Sequence, residues 1–211
     1  MKWLDVNDLK LWAKTKSSEQ VFPELVRDLI IQSGNVSSIR IPTRDEIHTP
    51  GFDGYVKCDH SKNLSYLPEG EIIWEFGTNE SYLNKANSDY KARCKNLGAL
   101  DLKLHTFVFV SPWPWAMEKS KTLARKKSIA EWEKEKNADG IFKSVKYIDG
   151  IQLELWLQEC PAIAAKFSRY ELNKHPKYGV KSVDEYWDFY SSTTEPKLTE
   201  QVLISGRETQ V

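Results

Sequence analysis

The feature that most narrows the possible folds is a short, uninterrupted apolar run, HTFVFV at residues 105–110, which lies between two helix-like segments, 82–97 and 117–137. β-branched and aromatic residues are enriched in strands. A strand without polar interruptions is typical of a sheet that is covered on both faces by helices. We therefore expect an α/β chain in which residues 105–110 form an interior strand.

The rest of the chain supports this layout. Alternating or apolar runs predict four further strands, at 36–42, 52–58, 71–76 and 142–148. Helical spacing of apolar residues predicts helices at 3–15, 23–32, 82–97, 117–137, 149–159 and 161–171, with Pro23 and Pro161 each in a first turn. The first three strands are closely spaced, which favours a hairpin or meander. Together these elements predict a mixed central β-sheet flanked by helices on both faces.

Composition limits the function classes. The three cysteines are an odd number without a CxxC pair, which argues against disulfides and a zinc site. Thirty basic and thirty acidic residues balance, so any binding to nucleic acid must come from a local basic surface. No apolar run of about 18 residues and no signal-peptide pattern is present, so we expect a cytoplasmic protein without a membrane segment.

The chain changes character near residue 171. Residues 1–170 contain the strand and helix patterns, whereas 171–211 hold loop-like stretches and one short amphipathic segment. The run VLISG near the end resembles the first strand of another domain. We therefore interpret 1–170 as one globular domain and 171–211 as a linker with the start of a following domain.

Two acidic residues are candidates for catalysis. Asp53 stands at the start of an expected strand, and Glu75 lies near the end of an otherwise apolar one. Burial of a carboxylate without a partner costs on the order of several kcal/mol, and a divalent cation is one partner that removes this cost. Carboxylates on adjacent strands can bind Mg²⁺ together with water and phosphate oxygens. Two simpler interpretations remain open: Asp53 could cap a turn, and Glu75 could face water from an edge strand.

Three segments carry a resemblance to a known group. GFDG at 51–54, LPEGEIIWEFGT at 67–78 and KANSDYKAR at 85–93 resemble the restriction-endonuclease-fold, PD-(D/E)XK effector domain at the N-terminus of antiviral STAND NTPases. Weaker likenesses, such as FPELVRDLI at 22–30, extend the resemblance over nearly the whole chain. It implies a restriction-endonuclease-like core and a bacterial protein that senses phage, oligomerises and degrades DNA.

The resemblance also implies site residues. Asp53 and Glu75 are implied as ligands of Mg²⁺ or Mn²⁺. The broader PD-(D/E)XK pattern has a lysine two residues after the glutamate, but Gly77 stands there in this chain. Lys85, at the start of the next helix, could serve as a relocated lysine that orients water and offsets phosphate charge. Glu24 resembles an accessory acidic residue that some members of this fold carry on the first helix.

Candidate DNA contacts are less specific. Lys91 and Arg93 on the helix at 82–97, and Arg125 in a basic cluster, could bind phosphates. Lys85, Asp89 and Lys91 could instead form an ordinary solvated helix face with i,i+4 pairing, and Arg93 and Arg125 could be ordinary surface arginines. Trp113 and Trp115 could stack on an unpaired base, but packing or a partner contact is the simpler interpretation.

The leading hypothesis is a Mg²⁺- or Mn²⁺-dependent endonuclease that cuts double-stranded DNA when a C-terminal sensor and NTPase region drives a dimer or tetramer together. The alternative is a nuclease-fold module that has lost catalysis and serves oligomerisation or DNA docking. Gly77 and the neutral net charge favour that alternative. A third interpretation, a protein-binding adaptor with tryptophan-rich loops, has little support beyond composition.

Overall fold

The structure is a computed structural model that describes residues 3–43, 51–95, 101–115 and 128–174. The chain divides into two compact units, Met1–Leu172 and Asn173–Val211. The described residues belong almost entirely to the first unit. The expected linker and following domain therefore lie mostly outside the described residues and stay a prediction.

Five strands form one sheet in the spatial order β1-β2-β3-β4-β5. They are β1 Gly34–Arg40, β2 Gly54–Ser61, β3 Gly70–Phe76, β4 His105–Val110 and β5 Ser144–Ile148. Strands β1, β2 and β3 pair antiparallel, whereas β3, β4 and β5 pair parallel. The expected α/β class, the mixed sheet, the opening meander and the interior position of β4 are confirmed.

Six α-helices are described: α1 Val6–Ala13, α2 Ser18–Ser33, α3 Tyr82–Lys95, α4 Ile129–Ala138, α5 Gly150–Glu159 and α6 Pro161–Tyr170. Helix α3 lies between β3 and β4 in the chain, and α4 lies between β4 and β5. Parallel neighbours need such crossover connections, because the chain must return to the same end of the sheet before the next strand. Among the described helices, none combines the length and the apolar composition that a membrane span requires.

Alternating side chains of the strands build two cores on opposite faces of the sheet. Ile72, Trp74 and Phe76 of β3 join the core that α1, α2, α5 and α6 cover. Ile73 joins the other core, together with residues of α3 and α4. Successive side chains of a strand point to opposite faces. The expected helices on both faces are therefore confirmed.

Helix α2 begins five residues before its expected start at Pro23. Pro23 is therefore an interior residue of the helix, and the assignment of Pro23 to the first turn is wrong. Proline in a helix interior removes one hydrogen bond. The Ser18 hydroxyl donates to the carbonyls of Ala13 at 3.1 Å and Thr15 at 2.8 Å, which anchors the earlier start. Phe22 is also fully buried, so packing holds the turn before the proline.

The expected continuous helix over 117–137 is also wrong. Residues 117–127 lie outside the described residues, and α4 begins only at Ile129, after Ser128 with an extended backbone. The Ser128 hydroxyl accepts from the Glu131 amide at 3.2 Å, and the Glu131 carboxylate accepts from the Ser128 amide at 2.8 Å. This reciprocal capping box defines a helix start. The SIAE sequence carried this signal.

Candidate active site

Asp53 and Glu75 meet where β2 begins and β3 ends. In the antiparallel register Gly54 pairs with Trp74, so the next pair outward is Asp53 with Glu75. The Asp53 carboxylate accepts a hydrogen bond from the Phe76 amide through Oδ2 at 2.9 Å. This bond ties the residue that precedes β2 to β3, whereas a local turn cap would accept from an amide close by in the sequence.

Glu75 is deeply buried. It lies on the middle strand of the sheet and is 1% exposed, so the interpretation as a water-facing edge residue is wrong. Burial raises the pKa of this carboxyl to about 8, and the Arg93 guanidinium offsets only part of that effect. The nearby charges of Asp53 and Asp89 raise the pKa further. Glu75 therefore holds a proton more tightly than an ordinary glutamate.

Arg93 of α3 binds Glu75 through two nitrogens. Its Nε donates to Glu75 Oε1, and its Nη2 donates to Oε2 at 3.3 Å. The carbon at the centre of the guanidinium lies 5.4 Å from the centre of the Phe52 ring, within the range of a cation–π contact. Arg93 is thus a member of the carboxylate cluster, and the interpretation as an ordinary surface arginine is wrong.

Lys85 lies in the first turn of α3 and reaches the same cluster. Its ammonium group donates to Asp89 at 2.9 Å, as expected for an i,i+4 pair. Burial acts to lower the pKa of Lys85, but the pair with Asp89 and the charges of Asp53 and Glu75 outweigh it and raise the pKa. The lysine therefore stays charged beside the carboxylates.

Gly77 leaves room for this lysine. A Cβ at Gly77 would lie 3.5 Å from Cδ of Lys85 and only 2.6 Å from the Phe109 ring. Real Cβ atoms do not approach a carbon as closely as 2.6 Å, so a larger residue at 77 needs Phe109 to move. The stem of Lys85 thus passes beside the position from which a lysine at 77 would start.

The cluster borders a cavity of about 260 Å³ that Asp53, Phe76 and Lys85 help to line. Glu19 of α2 also lines this cavity. Glu24, the expected accessory residue, lines a different cavity beside Asp28, about 70 Å³ in volume. The two glutamates lie on different sides of α2, so the structure does not bring Glu24 to the Asp53 cluster.

The donor set suits a hard divalent cation only in part. Within the described ranges, no group of three or more His, Cys, Asp or Glu side chains is arranged to hold a metal ion. Mg²⁺, however, is commonly held by one or two carboxylates, with water and phosphate oxygens completing its shell. Asp53 and Glu75 are the two carboxylates available for that smaller requirement, and both oxygens of Glu75 bond to Arg93 in this structure.

The remaining expected DNA contacts lie elsewhere. Lys91 is exposed and borders an open groove of about 1230 Å³, away from Asp53. Arg125 lies outside the described residues.

The Trp113 indole is 7% exposed and donates to the Thr78 carbonyl at 2.5 Å. Trp115 packs against Tyr147 with ring centres 4.9 Å apart. Both tryptophans support the packing interpretation.

Sequence reasoning identified the i,i+4 pairing of Lys85 with Asp89, but it missed Arg93 as the partner of Glu75 and Glu19 at the cavity. The spacing of Lys85, Asp89 and Arg93, four residues apart along α3, was the available signal for Arg93. Residues at that spacing share one helix face.

No family model, curated protein or solved structure matches this chain.

Proposed function

We propose that this chain is the nuclease domain of an antiphage defence protein, with a restriction-endonuclease-like core that hydrolyses DNA phosphodiester bonds with Mg²⁺ or Mn²⁺. The observation that carries the proposal is the meeting of Asp53, Glu75 and Lys85 at one end of the sheet, beside a cavity. Two acidic residues and one lysine on a strand pair and the following helix are the parts that this reaction requires. The resemblance in segments 51–54, 67–78 and 85–93 supports the same assignment.

Each residue has a role in the proposed reaction. Asp53 and Glu75 hold the divalent cation, which supplies Lewis-acid stabilisation and lowers the pKa of water. Lys85 orients the attacking water and offsets negative charge on the phosphate. Its raised pKa suits the second role, because the ammonium group stays protonated through neutral pH.

The proposed setting is a larger assembly. Double-stranded DNA is the proposed substrate, and a dimer or tetramer driven by a C-terminal sensor and NTPase region is the proposed active form. Enforced proximity suits a chain with thirty basic and thirty acidic residues, since its net charge provides no general attraction to DNA.

A second candidate function is an inactive nuclease-fold module for oligomerisation or DNA docking. Two observations favour it: Arg93 engages both oxygens of Glu75, and no third acidic ligand joins the pair among the residues that the structure describes. Metal binding separates the two candidates, because a dead module has no reason to keep a cation site.

The decisive experiment is calorimetric titration of Mn²⁺ into the wild type, Asp53→Asn and Glu75→Gln, with Asp59→Asn as the matched control. Asp59 is an exposed aspartate on strand β2, which begins beside the site. We expect one specific site in the wild type and in the control, lost in both site variants. Equal binding in all four proteins contradicts the assignment of the ligands.

Cleavage is then measured on plasmid DNA with Mg²⁺ and the chain fused to a tetramerising partner. We expect Asp53→Asn and Glu75→Gln to lose cutting at least about a hundred-fold, in the range found when an electrostatic contributor is removed. Lys85→Met is expected to lose a comparable factor while it still binds Mn²⁺. Undiminished cutting by all three variants excludes this cluster as the active site.

A further inference from the structure

Arg93 forms hydrogen bonds to Glu75, one of the two carboxylates proposed to bind the cation. Its Nε and Nη2 atoms bond separately to the two oxygens of Glu75, so both are engaged by one guanidinium. When Glu75 is ionised, which is also the form that a cation binds, two-point hydrogen bonds of this kind are charge-assisted and among the stronger ones in proteins. The side chain of Glu75 is 1% exposed and that of Arg93 is 15% exposed, so water competes little for the pair.

The surroundings hold Arg93 in this position. The Phe52 ring lies over the guanidinium, and the carboxylates of Asp53 and Asp89 contribute favourable charge. Within the cluster, Asp53, Glu75 and Asp89 carry three acidic groups, and Lys85 pairs with Asp89. Arg93 is therefore the cation that balances the two proposed metal ligands.

A divalent cation and this guanidinium exclude each other on Glu75. Ligation needs a carboxylate oxygen at about 2.0–2.1 Å from Mg²⁺. Each oxygen of Glu75 keeps a second lone pair beside its Arg93 bond, but the side chain is only 1% exposed, so a cation with its bound water has no access while the guanidinium stays in place. Binding of the cation therefore requires at least one Arg93 bond to break. A guanidinium released in this cleft is a suitable ligand for a phosphate oxygen.

We propose that Arg93 is a built-in competitor of the metal: it holds Glu75 in the metal-free protein, and it must leave the carboxylate for the cation to bind. This inference rests on the proposed function, because it assigns a regulatory part to the same site. It makes the resting domain a weak metal binder, and a phosphate that attracts Arg93 away from Glu75 strengthens metal binding.

The test is the affinity for Mn²⁺, measured by calorimetry at constant pH in wild type, Arg93→Lys, Arg93→Gln and Lys95→Gln. Lys95 is an exposed cation in the last turn of the same helix. We expect Arg93→Gln to bind Mn²⁺ at least about ten-fold more tightly than wild type, since one or two charge-assisted bonds no longer compete. Arg93→Lys keeps the positive charge but cannot form the paired hydrogen bonds of a guanidinium. We therefore expect its affinity for Mn²⁺ to lie between those of wild type and Arg93→Gln.

The variants separate competition from simple charge. If Arg93→Gln gains affinity but Arg93→Lys equals wild type, the gain comes from net charge alone and the inference is overturned. Lys95→Gln, which removes a cation without touching Glu75, is expected to match wild type. Circular dichroism checks folding, and Arg93→Lys carries the test if Arg93→Gln does not fold.

The outcomes also separate this inference from the proposed function. Binding in the wild type that is unchanged or weaker in both Arg93 variants overturns the competition but keeps the metal site. Absence of Mn²⁺ binding in every protein, including those without Arg93, overturns the metal site and both proposals. A second titration with a duplex of about one helical turn present is expected to tighten Mn²⁺ binding in wild type more than in Arg93→Gln.

Discussion

Glu75 illustrates how strongly burial in a core changes the pKa of a carboxyl group. An exposed glutamate ionises near its ordinary pKa of 4.5, whereas the buried carboxyl here has a pKa of about 8. Desolvation disfavours the charged form, and the negative charges of Asp53 and Asp89 act in the same direction. The proton on this carboxyl is therefore linked to the stability of the fold.

The sign of that linkage is testable. Between about pH 4.5 and pH 8, the folded state keeps a proton on Glu75 that the unfolded chain has lost. The free energy of unfolding therefore decreases as pH rises through this range. We expect Glu75→Gln to flatten this decrease, measured by urea unfolding at several pH values across that interval, with Asp59→Asn as the control. The same slope in Glu75→Gln and wild type contradicts the prediction.

Gly77 is required by the close approach of Phe109. We expect Gly77→Ala to lower the free energy of unfolding by about 1–3 kcal/mol, because the added Cβ would lie 2.6 Å from the aromatic ring. Phe109→Leu also lowers the free energy of unfolding. We expect the double variant to lose less of it than the two single variants lose in sum. Chemical denaturation of the four proteins gives the coupling energy, and strict additivity contradicts the steric explanation.

Helix α3 brings the second half of the site. Its inner face packs Ala86 and Tyr90 into the core beside β4, and this fixes the direction of the adjacent face. Lys85, Asp89 and Arg93 lie one turn apart on that face, so one packing arrangement positions all three. Along this face Lys85 pairs with Asp89 of the same helix, and Arg93 pairs with Glu75 of β3.

Helix α5 depends on Asp149. This N-cap is 3% exposed, and its carboxylate accepts from the amides of Ile151 at 3.1 Å, Gln152 at 2.9 Å and Trp115 at 2.9 Å. We expect Asp149→Ala to destabilise the fold by about 2–3 kcal/mol, near or above the upper range for a cap, because a loop also loses its acceptor.

The control for this prediction is Asp149→Asn, which keeps an oxygen acceptor at the cap. We expect it to retain most of the stability in thermal unfolding and denaturant titration. Asn and Asp are comparable N-caps. If Asp149→Asn and Asp149→Ala lose equal stability, the hydrogen bonds to the amides are not the reason for the loss.

Because the site lies on strands that both cores cover, we expect a ligand of the site to stabilise the folded domain as a whole. Strands β2 and β3, which position Asp53 and Glu75, lie between the helices of both faces. A ligand that binds only the folded state raises stability by an amount set by its concentration and affinity, about 2.7 kcal/mol when its concentration is roughly a hundred times the dissociation constant.

We therefore expect Mn²⁺ to raise the melting temperature of the wild type, and to raise it further at a given concentration in Arg93→Gln. Asp53→Asn is expected to show no specific rise. Differential scanning fluorimetry over a series of Mn²⁺ concentrations measures both effects, and a rise in Asp53→Asn equal to that of wild type points to binding elsewhere on the molecule.

Local patterns were sufficient for the elements and the fold class. The apolar run of β4, the alternation of β2 and the apolar β3 each predicted a strand. Buried strand positions are apolar, so their spacing in the sequence shows whether one face or both are covered. The errors occurred at helix starts. Pro23 was misplaced because buried Phe22 outweighs the local preference of proline, and the start of α4 was misplaced because the Ser128–Glu131 capping box was overlooked.

The site was only partly predictable from sequence. Asp53, Glu75 and Lys85 could be chosen as candidates, since a charge in an apolar strand and a lysine after it are visible locally. That Arg93 binds Glu75, and that Glu19 rather than Glu24 lines the cavity with Asp53, depends on how α2 and α3 pack on the sheet. Contacts between distant segments follow from packing geometry, which no local pattern encodes.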